Sequence, residues 1–334
     1  NIDHITALPN RDALTSEPTA WYLATSGTTG QPKWYSHTFE SLTASSKYSE
    51  QLQTLKWALL YQPFRFAGLQ VVLQALLSGA DLVDAAEYEP LALIAILRHL
   101  QVTAISATPS LWRQLLMTGQ LGYLKLRYMT LGGEIADQKV LDKLKGLFPN
   151  AKLRHIYAST EAGVGLVVSD GLAGFPVKWL GDNAMSVELK ISVQQHLMVK
   201  PKFNLCQKLT AQTDSQGFLD TQDRVEIQGD RVLFLGRATG TINVGGNKVY
   251  PEKVEQVLLQ CTHINQAKVY AKKSPLMGEL VVADVTINPD VEQQKVKLQL
   301  LKIAKNQLQR FEIPTKINIV ANIAQDPSGK LNRK

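Results

Sequence analysis

The segment of this chain best suited to holding phosphate is Thr25-Ser26-Gly27-Thr28-Thr29-Gly30-Gln31-Pro32-Lys33. Glycines let a backbone approach an oxyanion closely, hydroxyls donate hydrogen bonds to it, and a lysine adds positive charge. The segment is not a Walker loop, which needs a longer gap between its glycines and Lys-Ser/Thr at its end. Here only two residues separate Gly27 from Gly30, and Trp34 follows Lys33.

Further segments downstream carry compatible chemistry. Leu131-Gly132-Gly133-Glu134 and Tyr157-Ala158-Ser159-Thr160-Glu161 each end an apolar run. A flat ring such as Tyr157 suits a purine face, and a carboxylate such as Glu161 is a hard oxygen ligand for Mg²⁺. In Thr221-Gln222-Asp223 the carboxylate can accept from two neighbouring O–H donors. Gly236-Arg237 and the pair Gly245-Gly246, within INVGGNKVYPEKVE, follow. Last comes Pro327-Ser328-Gly329-Lys330, whose ammonium suits the neutralisation of charge developing in a transition state. Taken singly, these are ordinary turns, strand ends and exposed side chains.

In this order the segments resemble the signatures of the adenylate-forming superfamily: acyl-CoA and aryl-CoA synthetases, adenylation domains of nonribosomal peptide synthetases, and luciferases. The chain is identified as an N-terminally short member, most similar to acyl-CoA synthetases on segments such as SATPSLWRQLL. The resemblance implies that Thr25, Ser26, Gly27, Thr28, Thr29, Gly30 and Lys33 cradle the ATP phosphates. It implies that Tyr157 stacks on adenine, Thr160 contacts the α-phosphate and Glu161 ligates Mg²⁺. Gly132, Gly133 and Glu134 would line the adenine and acyl pocket, Asp223 would bind the ribose hydroxyls, and Arg237 would reach the nucleotide. Lys330 would act on the acyl carboxylate and α-phosphate, while Gly245 and Gly246 would present backbone to a pantetheine thiol. Phe64 and Phe66 fall where the family has its acyl-pocket helix, which tilts the expected substrate toward a hydrophobic acid, fatty or aryl.

The implied reaction is activation of a carboxylic acid to its acyl-adenylate with loss of pyrophosphate, then acyl transfer to a thiol. Its cofactors are ATP, Mg²⁺ and either coenzyme A or a phosphopantetheine arm, the latter on an acyl carrier protein. The alternative is a nucleotide-binding paralogue that is non-catalytic or stops at adenylation. Two departures from the family pattern motivate it. Only 24 residues precede Thr25, so the large domain is expected to lack much of the family's usual N-terminal part. The hinge position, normally Asp or Lys, is Thr239. Ala158 and Gln222 also replace usual glycines.

The bulk composition agrees with such an enzyme. The chain has 334 residues, 45% of them hydrophobic and 19% charged, with a formal net charge of +7. That length suits two domains, and a basic balance favours anionic partners. No Lys/Arg run interleaved with aromatics points to nucleic acid. Two cysteines, outside any Cys/His cluster, argue against zinc and for a reducing cytoplasm. No apolar run reaches the ~18 residues of a membrane span, and no signal peptide is evident. Oligomeric state is not legible.

The elements that must position these residues follow from the patterning. Ala20–Thr25 reads as a strand, followed by the Gly/Thr loop and a helix around Phe39–Leu55. Strands at Trp57–Leu60, Asp81–Val83, Thr103–Ser106, Tyr128–Leu131 and Leu153–Tyr157 alternate with helices over Leu69–Leu77, Pro90–Leu100, one capped by Ser110 and one capped by Asp137. That alternation predicts an α/β fold, a largely parallel, helix-covered sheet. Runs such as VELKISV, HLMVK, RVEIQ and RVLFL predict an antiparallel β-rich subdomain. From residue 240 a small α+β domain is expected, with a helix through Val254–Cys261, strands at Ala267–Ala271 and Leu280–Ile287, and a helix over Val291–Leu308. The expected domains are therefore 1–238 and 239–334.

Overall fold

The computed structural model describes residues 19–25, 33–86, 88–159, 163–182, 187–201, 213–274, 277–325 and 330–331. The fold is α/β. Strands β1 (Trp21–Thr25) and β2 (Lys33–His37) form their own antiparallel pair, with Thr25 opposite Lys33. The sequence reading had no β2. Thr38 and Ser49 each cap a short helix, α1 (Phe39–Thr43) and α2 (Glu50–Gln53), so the single helix expected there is two.

The large sheet and its helices then alternate: β3 (Lys56–Leu59), α3 (Phe66–Ser78), β4 (Asp81–Asp84), α4 (Pro90–His99), β5 (Ala104–Ala107), α5 (Pro109–Met117), β6 (Tyr128–Gly132), α6 (Gln138–Leu147), β7 (Lys152–Ser159) and β8 (Gly163–Val168). The strand order is β4-β3-β5-β6-β7-β8, parallel except for β8. Asp137 caps α6 as expected, accepting from Val140 N. Thr108, rather than Ser110, caps α5, because Pro109 already occupies the first helical position.

Alternation along the strands builds two different faces. Ile105, Met129, Leu131 and Leu153 pack with Leu97, Trp112, Leu115, Val140 and Leu144 beneath α4, α5 and α6. Trp57, Leu59, Ala104 and Tyr128 face the other way, where Val71 and Ala75 of α3 meet them.

An antiparallel sheet follows, built from β9 (Phe175–Pro176), β10 (Val187–Ile191), β11 (His196–Pro201), β12 (Leu219–Gln228) and β13 (Arg231–Arg237) in the order β10-β11-β12-β13-β9. The C-terminal part comprises β14 (Ile242–Val244), β15 (Asn247–Val249), α7 (Pro251–Leu259), β16 (Ile264–Ser274), β17 (Gly278–Ile287), α8 (Gln293–Gln307) and β18 (Lys316–Ile319). Its sheet runs β15-β14-β17-β16, with β18 parallel to β17. Val254, Leu258, Val269, Ala283, Val296 and Leu300 fill its separate core. The short strand β18 had no sequence signal beyond KINI.

Candidate active site

A cavity of about 750 Å³ opens where β6 and β7 end, against β12, β13, α7 and the C-terminal segment. Gly132, Gly133, Glu134, Tyr157, Asp223, Arg237, Thr239, Lys330 and Phe66 all line it. These residues come from most of the length of the chain. Ala158 and Ser159, the end of β7, reach the same wall.

One side of the cavity is a hydrogen-bonded chain. The Tyr157 hydroxyl donates to Asp223 Oδ2 at 2.5 Å, and Arg237 Nε donates to Asp223 Oδ1 at 3.0 Å. The Asp223 side chain is only 13% exposed, against 56% for Arg237. Burial, and then the Asp223 charge, hold the Tyr157 phenol well above its ordinary range, so it stays a donor. Phe234 stacks on Tyr157 with ring centroids 4.9 Å apart, which leaves a purine only the other face. Asp223 is aimed by its own turn: its N–H donates to Thr221 Oγ1, and the Gln222 N–H donates to Asp220 Oδ1. Gln222 holds φ at +58°, the conformation a glycine would adopt freely. The turn therefore survives the loss of the family's glycine.

Elsewhere in the cavity one carboxylate joins three segments of the chain. Glu134 Oε2 accepts from the Ser110 N–H at the start of α5, and its Oε1 accepts from the Leu331 N–H. Lys330, next in the chain to Leu331, passes over Gly133: a Cβ there would sit 3.3 Å from Lys330 Cε. Thus Glu134, expected as a pocket-lining group, also fastens the segment that carries the lysine.

Other expected residues lie elsewhere. Phe64 is 67% exposed and does not line the cavity, unlike Phe66, whose ring lies 5.9 Å from that of His37. Gly245 and Gly246 also fall outside the lining. They turn the β14–β15 hairpin with φ of +56° and +89°, as a two-residue turn with both φ positive requires. Ser26, Gly27, Thr28, Thr29, Gly30, Thr160 and Glu161 lie outside the described residues; of their loops the structure gives only the flanking strand ends. Among the described residues no cluster of three His, Cys, Asp or Glu is placed to hold a metal ion. His155 also lines the cavity; its Nε2 meets the Leu172 carbonyl at 2.9 Å, and burial lowers its pKa.

Sequence reasoning missed Trp57, Ser106, Thr130 and Arg154, which line the same cavity from the large sheet. Strand periodicity was the available signal. Arg154 lies two residues before Ile156 and so shares its face. Glu252, Glu255 and Gln256 of α7 line the cavity from the C-terminal part.

The sequence and the fold both match known proteins. The model of the AMP-binding enzyme family matches residues 4–196, and that of the AMP-binding enzyme C-terminal domain matches residues 253–330. The 2-succinylbenzoate–CoA ligase of Listeria innocua is 25% identical over 337 residues, covering 94% of this chain and 69% of that protein. Surfactin synthase subunit 1 of Bacillus subtilis is 28% identical over 363 residues, covering 94% of this chain and 10% of that one. The crystal structure of the anthranilate CoA ligase AuaEII in complex with anthranoyl-AMP superposes with a TM-score of 0.73 at 17% identity, over 93% of this chain and 65% of that chain. This chain thus spans about two thirds of the length of the first and third of these. A match across more than half of its residues, together with the C-terminal match, makes this protein a member of the AMP-binding enzyme family.

Proposed function

We propose that this protein activates a carboxylic acid with ATP to form an acyl-adenylate, releases pyrophosphate, and passes the acyl group to a thiol. The observation that carries this reading is the cavity shared by Tyr157, Asp223, Arg237, Gly133 and Lys330. Each Asp223 oxygen already accepts one bond and retains a lone pair for a ribose hydroxyl. Arg237 and Lys330 supply positive charge to the phosphates. Lys330, lying against Gly133 beside Glu134, is placed to neutralise charge as the substrate carboxylate attacks the α-phosphate. Catalysis here is mostly positioning and electrostatics.

β7 leads into the cavity at Ser159, and in this reading Mg²⁺ would be held by the carboxylate of Glu161, which comes two positions later in the sequence and lies outside the described residues. When bound, the ion would offset phosphate charge. Thr160 and the loop from Thr25 to Lys33 complete the phosphate contacts in this reading.

The acceptor is coenzyme A or the phosphopantetheine of an acyl carrier protein. In the reading proposed here, residues 1–238 and 239–334 are separate domains that reorient about Thr239. Lys330 in the cavity, with Gly245 and Gly246 outside it, suits the first half-reaction. No described helix is long and apolar enough to cross a membrane, and a cytoplasmic setting agrees with the two cysteines.

ATP–pyrophosphate exchange with a panel of carboxylic acids tests the proposal. Exchange is expected with at least one acid. Silence across the panel, from protein with cooperative unfolding, would overturn it.

A further inference from the structure

Four strands, β3, β5, β6 and β7, set out the acyl end of the cavity as rows across the large sheet. Gly132 pairs with Ile156 beside the catalytic end. One step back, Ser106, Thr130 and Arg154 lie side by side on the same face. A further step back lie Trp57, Ala104 and Tyr128. Two residues of strand separate successive rows, roughly 7 Å.

Two donors in the rear rows lack acceptors. Arg154 Nε is buried with no hydrogen-bond partner, and so is Trp57 Nε1. Both groups rest on the Tyr128 ring: Arg154 Cζ lies 4.4 Å from its centroid, and the Trp57 ring packs edge-on at 5.3 Å. Neither side chain has an acceptor lone pair to offer. Burial lowers the Arg154 pKa to about 10, which leaves it a cation at neutral pH. Among the described residues no carboxylate is paired with it by an ion pair or hydrogen bond. Buried donors without partners are rare and destabilising. The Trp57 N–H and the Arg154 guanidinium, on residues that line the cavity, are therefore suited to an oxyanion arriving as part of a ligand. A purely hydrocarbon tail would leave them unsatisfied.

We propose that Arg154 and Trp57 form a subsite for a second carboxylate, so that the acid activated here is a diacid held at both ends. One carboxylate lies at the Gly132–Lys330 end and the other about one row away, beside Arg154. This deepens the adenylation reading and rests on it. It also replaces the hydrophobic substrate suggested by Phe64 and Phe66, one of which lies outside the cavity.

The test compares matched acids, from succinate through suberate against the monocarboxylates of equal chain length. Pyrophosphate exchange gives kcat/KM for each with the wild type, Arg154→Gln and Arg154→Lys. The wild type is expected to favour one diacid over its monoacid. Arg154→Gln is expected to lower that ratio by about 10- to 100-fold, the range for losing a charge-assisted bond, and Arg154→Lys to lower it less. A wild type that exchanges with monoacids in preference to every diacid overturns the subsite while leaving adenylation standing. So does a ratio unchanged in both variants. The binding arm is calorimetric titration of the same diacids. Diacid binding that is weakened in Arg154→Gln, without exchange, supports the subsite and tells against adenylation. Absence of both exchange and binding overturns the two together.

Discussion

Tyr157 and Asp223 stand 66 positions apart in the chain, yet the phenol of one donates to the carboxylate of the other at 2.5 Å. The bond joins the end of the parallel sheet to the antiparallel one, and Arg237 completes it from the opposite side. Asp223→Asn keeps the shape but removes the charge that both neighbours address. ATP affinity is expected to fall about 10- to 100-fold, corresponding to about 1.5–3 kcal/mol for bonds to a charged group. Tyr157→Phe keeps the stack on Phe234 and should lower stability by about 1–2 kcal/mol. Calorimetric titration with ATP and urea unfolding measure the two effects.

Lys330→Ala should reduce adenylation by about 10²- to 10³-fold while leaving ATP affinity nearly unchanged, because its charge matters most as the transition state forms. Pyrophosphate exchange and nucleotide titration on the same sample separate the two effects. A non-catalytic nucleotide-binding protein would show no loss.

Glu134→Gln is expected to resemble a milder Lys330 variant. The amide cannot accept from both Ser110 and Leu331 N–H groups, so the segment carrying the lysine loosens. We expect kcat to fall about 10-fold, for roughly 1–2 kcal/mol, with the KM for ATP little changed. Steady-state kinetics at saturating acid decide it.

Two backbone positions should respond with opposite signs. Gln222 sits at φ +58°, and Gln222→Gly should stabilise by about 0.5–1 kcal/mol. Gly236 sits at φ +137°, where a Cβ would come within 2.3 Å of Glu252 Oε2, so Gly236→Ala should destabilise by about 1–3 kcal/mol. Urea midpoints at constant slope distinguish them.

Lys139 on α6 donates to the carbonyls of Cys261 and Ile264, just beyond α7, at 2.7 and 2.6 Å. Burial, then the neighbouring Lys143, lower its pKa to about 8 from 10.5. The folded state thus holds this proton less tightly than the unfolded chain. Between pH 8 and 10.5 the unfolded state binds more protons, so this group's contribution to stability rises with pH. Unfolding measured from pH 7 to 10 should show an upward component in the wild type that Lys139→Met lacks.

Much of this was legible from local signals. The strands ending at Gly132 and Ser159, and the Asp137 cap, follow from apolar runs and polar punctuation. The residues around the cavity were found as ordered motifs, which periodicity alone would not have singled out. What failed to show depends on pairing across distance. WYSH alternates too briefly to announce β2, and only its partner β1 makes it a strand. Phe64 and Phe66 look equivalent in sequence, yet the start of α3 at Phe66 separates them. Arg154 lies in a strand of mixed polarity, KLRHIYAS, and only the rows across β5, β6 and β7 show what stands beside it.

The pairing of Thr25 with Lys33 bears on how a phosphate would be received. Whatever the seven residues between them do, their two ends are stitched together before any ligand arrives. Closing so short a lariat from a free chain carries an entropic penalty that grows with the logarithm of its length. Folding has already met that penalty, so a nucleotide binding there would have only the interior of the lariat left to arrange. Weakening the β1–β2 pair at Tyr22 and Ser36, away from Thr25 and Lys33, should consequently weaken triphosphate binding.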